Sequence, residues 1–166
     1  NSNSAKVHSI IWWLLGNLQV FSGAHVLIVC VTVLTGFLLS LVFSKDLNAL
    51  SLGEEEAIHL GVDIELVKKI FLVISALVTS IVVSMCGIIG FVGLMMPHIA
   101  RRLAGPDHRI LIVVSVLMGS VFLLICDALA RIVIAPREIP IGVITAFIGV
   151  PFFIYILRKS KRVYFK

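Results

Sequence analysis

Charge is scarce in this sequence. Only 14% of its 166 residues are Asp, Glu, Lys or Arg, against roughly 25% in a soluble domain. The stretch from Ile70 to Ala100 has none of the four. So few charges cannot cover a water-facing surface, which excludes an ordinary soluble fold. Cysteine is scarce too. Cys30, Cys86 and Cys126 each lie inside an apolar run without a close partner. That excludes a disulfide framework and a cysteine zinc site, and the three read as packed thiols. The five histidines show no metal-ligand spacing. No G-K-[ST] is present, so the glycines cradle no phosphate. No catalytic constellation appears, and the chain reads as neither an enzyme nor a metal protein.

Apolar residues are abundant, at 60%, and they come in long runs. The 14 Lys and Arg outnumber the 9 Asp and Glu. They flank the apolar runs, which is the pattern of membrane topology and not of nucleic-acid binding. Apolar runs predict spans at Val26–Ser44, which carries no charge, and Ile110–Ile134, each near the ~20 residues needed to cross. "IGVITAFIGVPFFIYIL" leads into a basic tail and predicts a last span. "IIWWLLG" is too short to cross, and its adjacent Trp12 and Trp13 favour the membrane interface. It reads as an interfacial helix or the tail of a further span.

The run from Ile70 to Ala100 poses a choice. As one helix it would be about 46 Å long at 1.5 Å per residue, longer than the ~30 Å hydrocarbon core. Its flanking pairs, Lys68–Lys69 and Arg101–Arg102, would then lie on opposite sides. If the chain reverses near Gly87, Gly90 and Gly93, two spans result, roughly Leu66–Cys86 and Phe91–Leu103. Both basic pairs then share a side. The inner set becomes Lys45, Lys68, Lys69, Arg101, Arg102, Arg109, Arg158, Lys159, Lys161, Arg162 and Lys166, leaving only Lys6, Arg131 and Arg137 outward. That strong positive-inside bias selects the two-span reading. Gly87, Gly90 and Gly93 serve the turn and close packing, and Pro97 distorts the helix that follows. His98 reads as a packed residue. The fold class is an all-α polytopic membrane protein of about five spans.

The polar stretch between the first two spans has its own signals. In "SLGEEEAIHLG", Ser51 and Glu54 match a capping box. Glu54, Glu55 and Glu56 suit a helix N-terminus, and Gly61 is placed to end the helix. Leu52, Ala57 and Leu60 offer an apolar strip. The segment reads either as a docking helix for a soluble partner or as a solvated connector. Asp127 and Arg131 are the only opposite charges one helical turn apart within a span, and they can neutralise each other. Pro140, Gly142, Gly149 and Pro151 break the last span, which suits a cavity lining or close helix packing.

Several of these motifs occur together. "GIIGFVGLMMPHIARRLAGPDHR", "DALAR" and "APREIPIGVITAFIGVPFFIYILRK" resemble, in order and spacing, the FecCD family of ABC importer permeases. "LNALSLGEEEAIHLGVD" and "WWLLGNL" fit the same family. The resemblance runs from about His8 to Lys159 and covers the C-terminal half of a ten-span, type II importer subunit. It implies one transmembrane domain over residues 1–166, with residues 45–65 as the ATPase-coupling loop. That loop would use Asn48, Leu50, Leu52, Gly53, Glu54, Glu56, Ala57, Leu60 and Gly61. The E-A-x-x-x-G spacing of Glu56, Ala57 and Gly61 resembles the coupling motif of importer permeases.

The resemblance also implies binding-protein docking by Arg131 and Arg137. It implies a translocation path along Pro140, Gly142, Val143, Thr145, Ala146 and Gly149. The expected partners are a nucleotide-binding ATPase subunit holding ATP and Mg, an extracytoplasmic cargo-binding protein, a second permease copy and membrane lipid. This chain itself would bind no cofactor. The setting would be the cytoplasmic membrane of a bacterium or archaeon, with the C-terminus inside. The cargo would be an iron–siderophore, haem, cobalamin or similar chelate. Two other classes are a secondary transporter or channel and a non-transporting membrane fragment. The first ordinarily needs midplane charges, and only scattered Ser and Thr are present.

Overall fold

The computed structural model describes residues 10–18, 22–133 and 139–164. Among these, every regular element is a helix. After a short helical turn at residues 10–14 come α1 (Gly23–Val42), α2 (Ser44–Leu50), α3 (Glu54–His59), α4 (Ile64–Cys86), α5 (Val92–Ala104), α6 (His108–Ile132) and α7 (Ile141–Tyr164). The helices α1, α4 and α6 are long and apolar enough to cross a membrane. At 13 residues, α5 is only about 20 Å long, short of the ~30 Å core. The apolar part of α7 is Ile141–Ile156. The predicted spans fall within a few residues of these helices. The chain divides into two compact units, one formed by residues 20–85 and 100–116 and the other by residues 1–19, 86–99 and 117–166.

In the first unit, Gly36 lets α1 approach α4 closely. A Cβ there would come within 2.7 Å of Val78 Cγ2. Phe43 and Phe71 meet edge to face at 6.3 Å. Asp63 caps α4 by accepting from the Leu66 N–H at 3.0 Å, and Asp107 caps α6 by accepting from the Arg109 N–H at 3.0 Å. On α4, Ser75, Ser80 and Ser84 each donate to the carbonyl three residues back. This satisfies their hydroxyls inside an apolar helix.

The second unit contains the turn between α4 and α5. Gly87 has φ of 72°, and a Cβ there would collide with the Trp13 carbonyl. Phe91, not Gly90, takes the other left-handed position, at φ of 67°. That is strained for an aromatic residue. Its side chain is pressed against Gly149 of α7, where a Cβ would overlap Phe91 Cβ and Cγ. Gly90 and Gly93 border open space. Gly93 is four residues before Pro97, so its carbonyl lacks the helix N–H that proline cannot supply.

Residues 13–17 cross this turn. The Asn17 N–H donates to the Cys86 carbonyl at 2.8 Å, and the Gly142 N–H donates to the Leu15 carbonyl at 3.0 Å. The tryptophan segment is therefore not a lone interfacial helix. It is a strap that satisfies backbone groups left open where α4 ends and α7 begins. A Cβ on Gly16 would lie 2.7 Å from the Ile88 carbonyl, so the strap packs backbone on backbone.

Within the first unit, Lys68 pairs with Glu54 and Asn48 bonds Asp107 and His108. The start of α4 and the head of α6 thus meet the same short segment. Cysteines placed at Lys69 and Arg101, in a background lacking Cys30, Cys86 and Cys126, should both react with an impermeant thiol reagent from one side of sealed vesicles. Reaction of one from each side would rule out the reversal.

Candidate functional site

Residues 44–62 form a compact polar knob on the first unit. α3 begins at Glu54, with Gly53 as its N-cap at φ of 132° and no side-chain cap. Ser51 does not close a capping box. Its hydroxyl donates to the Asn48 carbonyl at 2.7 Å, so the end of α2 takes it before α3 starts. At the other end of α3 the Gly61 N–H donates to the Ile58 carbonyl at 2.9 Å and the Val62 N–H to the Ala57 carbonyl at 3.0 Å. With φ of 81° at Gly61, this is a Schellman close. The three glutamates fill the first turn and His59 the last, both favourable to the helix dipole.

The apolar strip differs from the sequence expectation. Ala57 is 0% exposed and packs inside the knob, whereas Leu52, Ile58 and Leu60 are 67%, 62% and 65% exposed. Ile58 belongs to the open surface and Ala57 does not. Leu50 is half-buried and Glu56 exposed. Glu54 carries the ion pair to Lys68.

Asn48 points inward, to the head of α6. Its amide nitrogen donates to Asp107 Oδ1 at 2.8 Å. Its amide oxygen accepts from the His108 N–H at 2.8 Å and lies 2.8 Å from His108 Nδ1. Donation from Asn48, and then from the Arg109 N–H, holds the Asp107 carboxyl below its ordinary pKa. A lowered pKa means the charged form is favoured on folding. The contribution is present above the ordinary carboxylate range and fades only as pH falls through the lowered value.

The second polar group lies near the end of α6. Arg131 Nε donates to Asp127 Oδ2 at 2.9 Å, and Nη2 to Oδ1 at 3.3 Å. Asp127 is half-buried and Arg131 exposed, so this i,i+4 pair contributes only ~0.3–0.5 kcal/mol. Trp12, Asn17, Ile139 and Ile141 surround the pair. Arg137 lies outside the described residues. His98 meets Phe152 edge to face at 6.2 Å, and its Nε2 is buried without a hydrogen-bond partner among the described residues.

The residues proposed for a path divide between two faces of α7 and its entry. Gly142 packs on the Leu15 carbonyl and Gly149 on Phe91. Thr145 is buried and donates to the Gly142 carbonyl at 3.1 Å. Pro140 and Ala146 are half-buried. Val143 is exposed, and with Phe147, Val150 and Ile154 it forms one open stripe at helical spacing.

This arrangement can be set beside known proteins. Residues 1–159 match the model of the FecCD transport family. The chain belongs to the FecCD transport family. It is 40% identical over 160 residues to a cobalamin import system permease protein of Halobacterium salinarum, covering 96% of this chain and 43% of that protein. It is 38% identical to an Fe(3+) dicitrate transport system permease protein of Escherichia coli, covering 96% and 50%. It is 34% identical to a hemin transport system permease protein of Yersinia pestis, covering 96% and 48%. A solved metal-chelate type ABC transporter, in an inward-facing conformation, matches with a TM-score of 0.85 and 35% identity, over 93% of this chain and 50% of that one. The chain spans about half the length of the curated relatives it matches.

For this FecCD chain, sequence reasoning located the loop but missed two junctions. The strap bonds Asn17 to Cys86 and Leu15 to Gly142, and Asn48 bonds Asp107. Their only advance signals were glycines at 16, 87 and 142 and an isolated asparagine in the loop. Gly142 offers a direct test. Alanine would drive its Cβ into the Leu15 and Ile88 carbonyls, which are backbone and cannot swing away. Gly142→Ala should lower stability by about 1–3 kcal/mol, read as an earlier thermal unfolding transition in detergent, while Gly90→Ala, which faces open space, should shift it little.

Proposed function

We propose that the chain is half of a permease subunit of an ATP-driven importer. It would carry a bulky metal chelate such as an iron–siderophore, haem or cobalamin from a binding protein to the cytoplasm. The observation that carries this reading is the likeness to a metal-chelate type ABC transporter over nearly the whole chain. The relatives' names place permeases for cobalamin, iron citrate and hemin in the same family. The 44–62 knob would face the cytoplasm, where most of the lysines and arginines then also lie. A separate ATPase subunit would hold ATP and Mg. A second permease copy would complete the path.

Leu52, Ile58 and Leu60 supply what a soluble ATPase groove would bury. The open α7 stripe of Val143, Phe147, Val150 and Ile154 is an apolar lining suited to cargo that slides without tight binding. Arg131, exposed and paired with Asp127, would exchange its intrahelical carboxylate for one on a binding protein. A guanidinium can grip such a carboxylate with two parallel bonds.

Two measurements test this. Ile58→Asp should leave membrane insertion intact and weaken ATPase co-purification about tenfold or more, as expected for a contact worth ~1–3 kcal/mol. Unchanged assembly would make the knob a connector. Arg131→Glu should weaken binding-protein affinity most at low salt, where repulsion is least screened, with ATPase assembly unaffected. Wild-type affinity at low ionic strength would leave Arg131 to Asp127 alone.

A further inference from the structure

Among the described residues, two side-chain junctions tie the knob to the rest of the first unit. One is the exposed ion pair of Glu54 with Lys68, which contributes little by itself. The other is Asn48. Residues some sixty positions apart meet there through one side chain, with three contacts of 2.8 Å. Asp107 is also the N-cap of α6, so Asn48 grips the group that starts that helix. Asn48 lies near the end of α2, whose neighbours Ala49 and Ser44 are buried, so α2 is itself seated against the unit. The knob's exposed triad, Leu52, Ile58 and Leu60, follows within a dozen residues. A push on that triad has two fates. It can deform the short turn at Ser51–Gly53, or it can move the head of α6.

We propose that Asn48 is a positioning residue which clamps the knob to the N-terminus of α6, so that displacement of the knob by a docked partner is delivered to α6. The inference rests on the importer reading for its partner, but the clamp itself does not. An amide suits the task because it presents one donor and one acceptor on the same rigid plane. Asp107 offers only acceptors, and the His108 N–H only a donor. No charge need be neutralised in the join, so it does not loosen with salt as a surface ion pair would.

The geometry separates the join from the charge beside it. Asn48→Asp sets two carboxylates against each other and removes the donor. Asp107→Asn removes the charge but keeps the oxygen that accepts from both the Asn48 amide and the Arg109 N–H. The experiment takes the complete permease that carries this half, in nanodiscs, with and without its ATPase.

Two quantities are read in wild type and both single variants. The first is amide hydrogen exchange over residues 44–60 without ATPase. Asn48→Asp should raise it roughly two- to tenfold per bond lost, and Asp107→Asn should stay near wild type. The second is cargo delivered per ATP hydrolysed. Asn48→Asp should lower this ratio severalfold, and Asp107→Asn should leave it near wild type.

Unchanged exchange in Asn48→Asp overturns the clamp. Faster exchange with an unchanged transport ratio, or an equal loss of that ratio in Asp107→Asn, overturns the positioning role. A wild type that binds no ATPase overturns the importer reading together with the coupling role, while the exchange data still decide the clamp.

Discussion

The structure depends on one requirement: a backbone that breaks among apolar surroundings must satisfy its own polar groups. The chain breaks between α4 and α5, and α5 is too short to cross a bilayer. The carbonyls that end α4 and the N–H groups that start α7 would otherwise be orphaned. Residues 13–17 answer this by donating from Asn17 to Cys86 and accepting at Leu15 from Gly142. The glycines at 16, 87 and 142 follow from that, since two backbones can exchange bonds at this distance only without side chains between them. Phe91 is then forced into a left-handed conformation, and Gly149 makes room for its ring.

The polar end solves a different problem. Its knob is short, exposed and made of helices too brief to stand alone. It is ordered by caps and cross-links: the Schellman close at Gly61, the burial of Ala57, the Glu54 ion pair and the Asn48 bridge. Order in a small exposed element makes its three leucine and isoleucine side chains a surface of defined shape, which is what recognition by another protein needs.

The span positions were legible because charges bracket them. Lys68–Lys69 and Arg101–Arg102 mark the ends of α4 and α5, and the loop glycine at 61 announced its own turn. The orientation of small residues was not legible. Ala57 can line a groove or fill a core with equal ease, and only the fold puts it inside. Ser51 carries a good capping pattern, but α2 ends close enough for its carbonyl to take the hydroxyl first. Gly90 is the more permissive residue, yet the positive φ falls on Phe91, because tertiary packing against Gly149 outweighs local preference. The last span held both an inward and an outward face in one composition. Thr145 and Gly149 could not be told from Val143 until their neighbours were known. The strap's partners lie too far along the chain for any local pattern to reveal them.

The strap has a consequence for the order of events at synthesis. Leu15 and Asn17 are made before α1–α7, but Cys86 comes much later and Gly142 later still. At about 5–20 residues per second, on the order of ten seconds separate Leu15 from the glycine that will bond it. Through that interval the early segment must stay hydrated or shielded at the translocation machinery, and it can complete the junction only after α7 arrives. A nascent chain arrested before Gly142 would therefore hold α1–α6 without the second bond that fixes the strap.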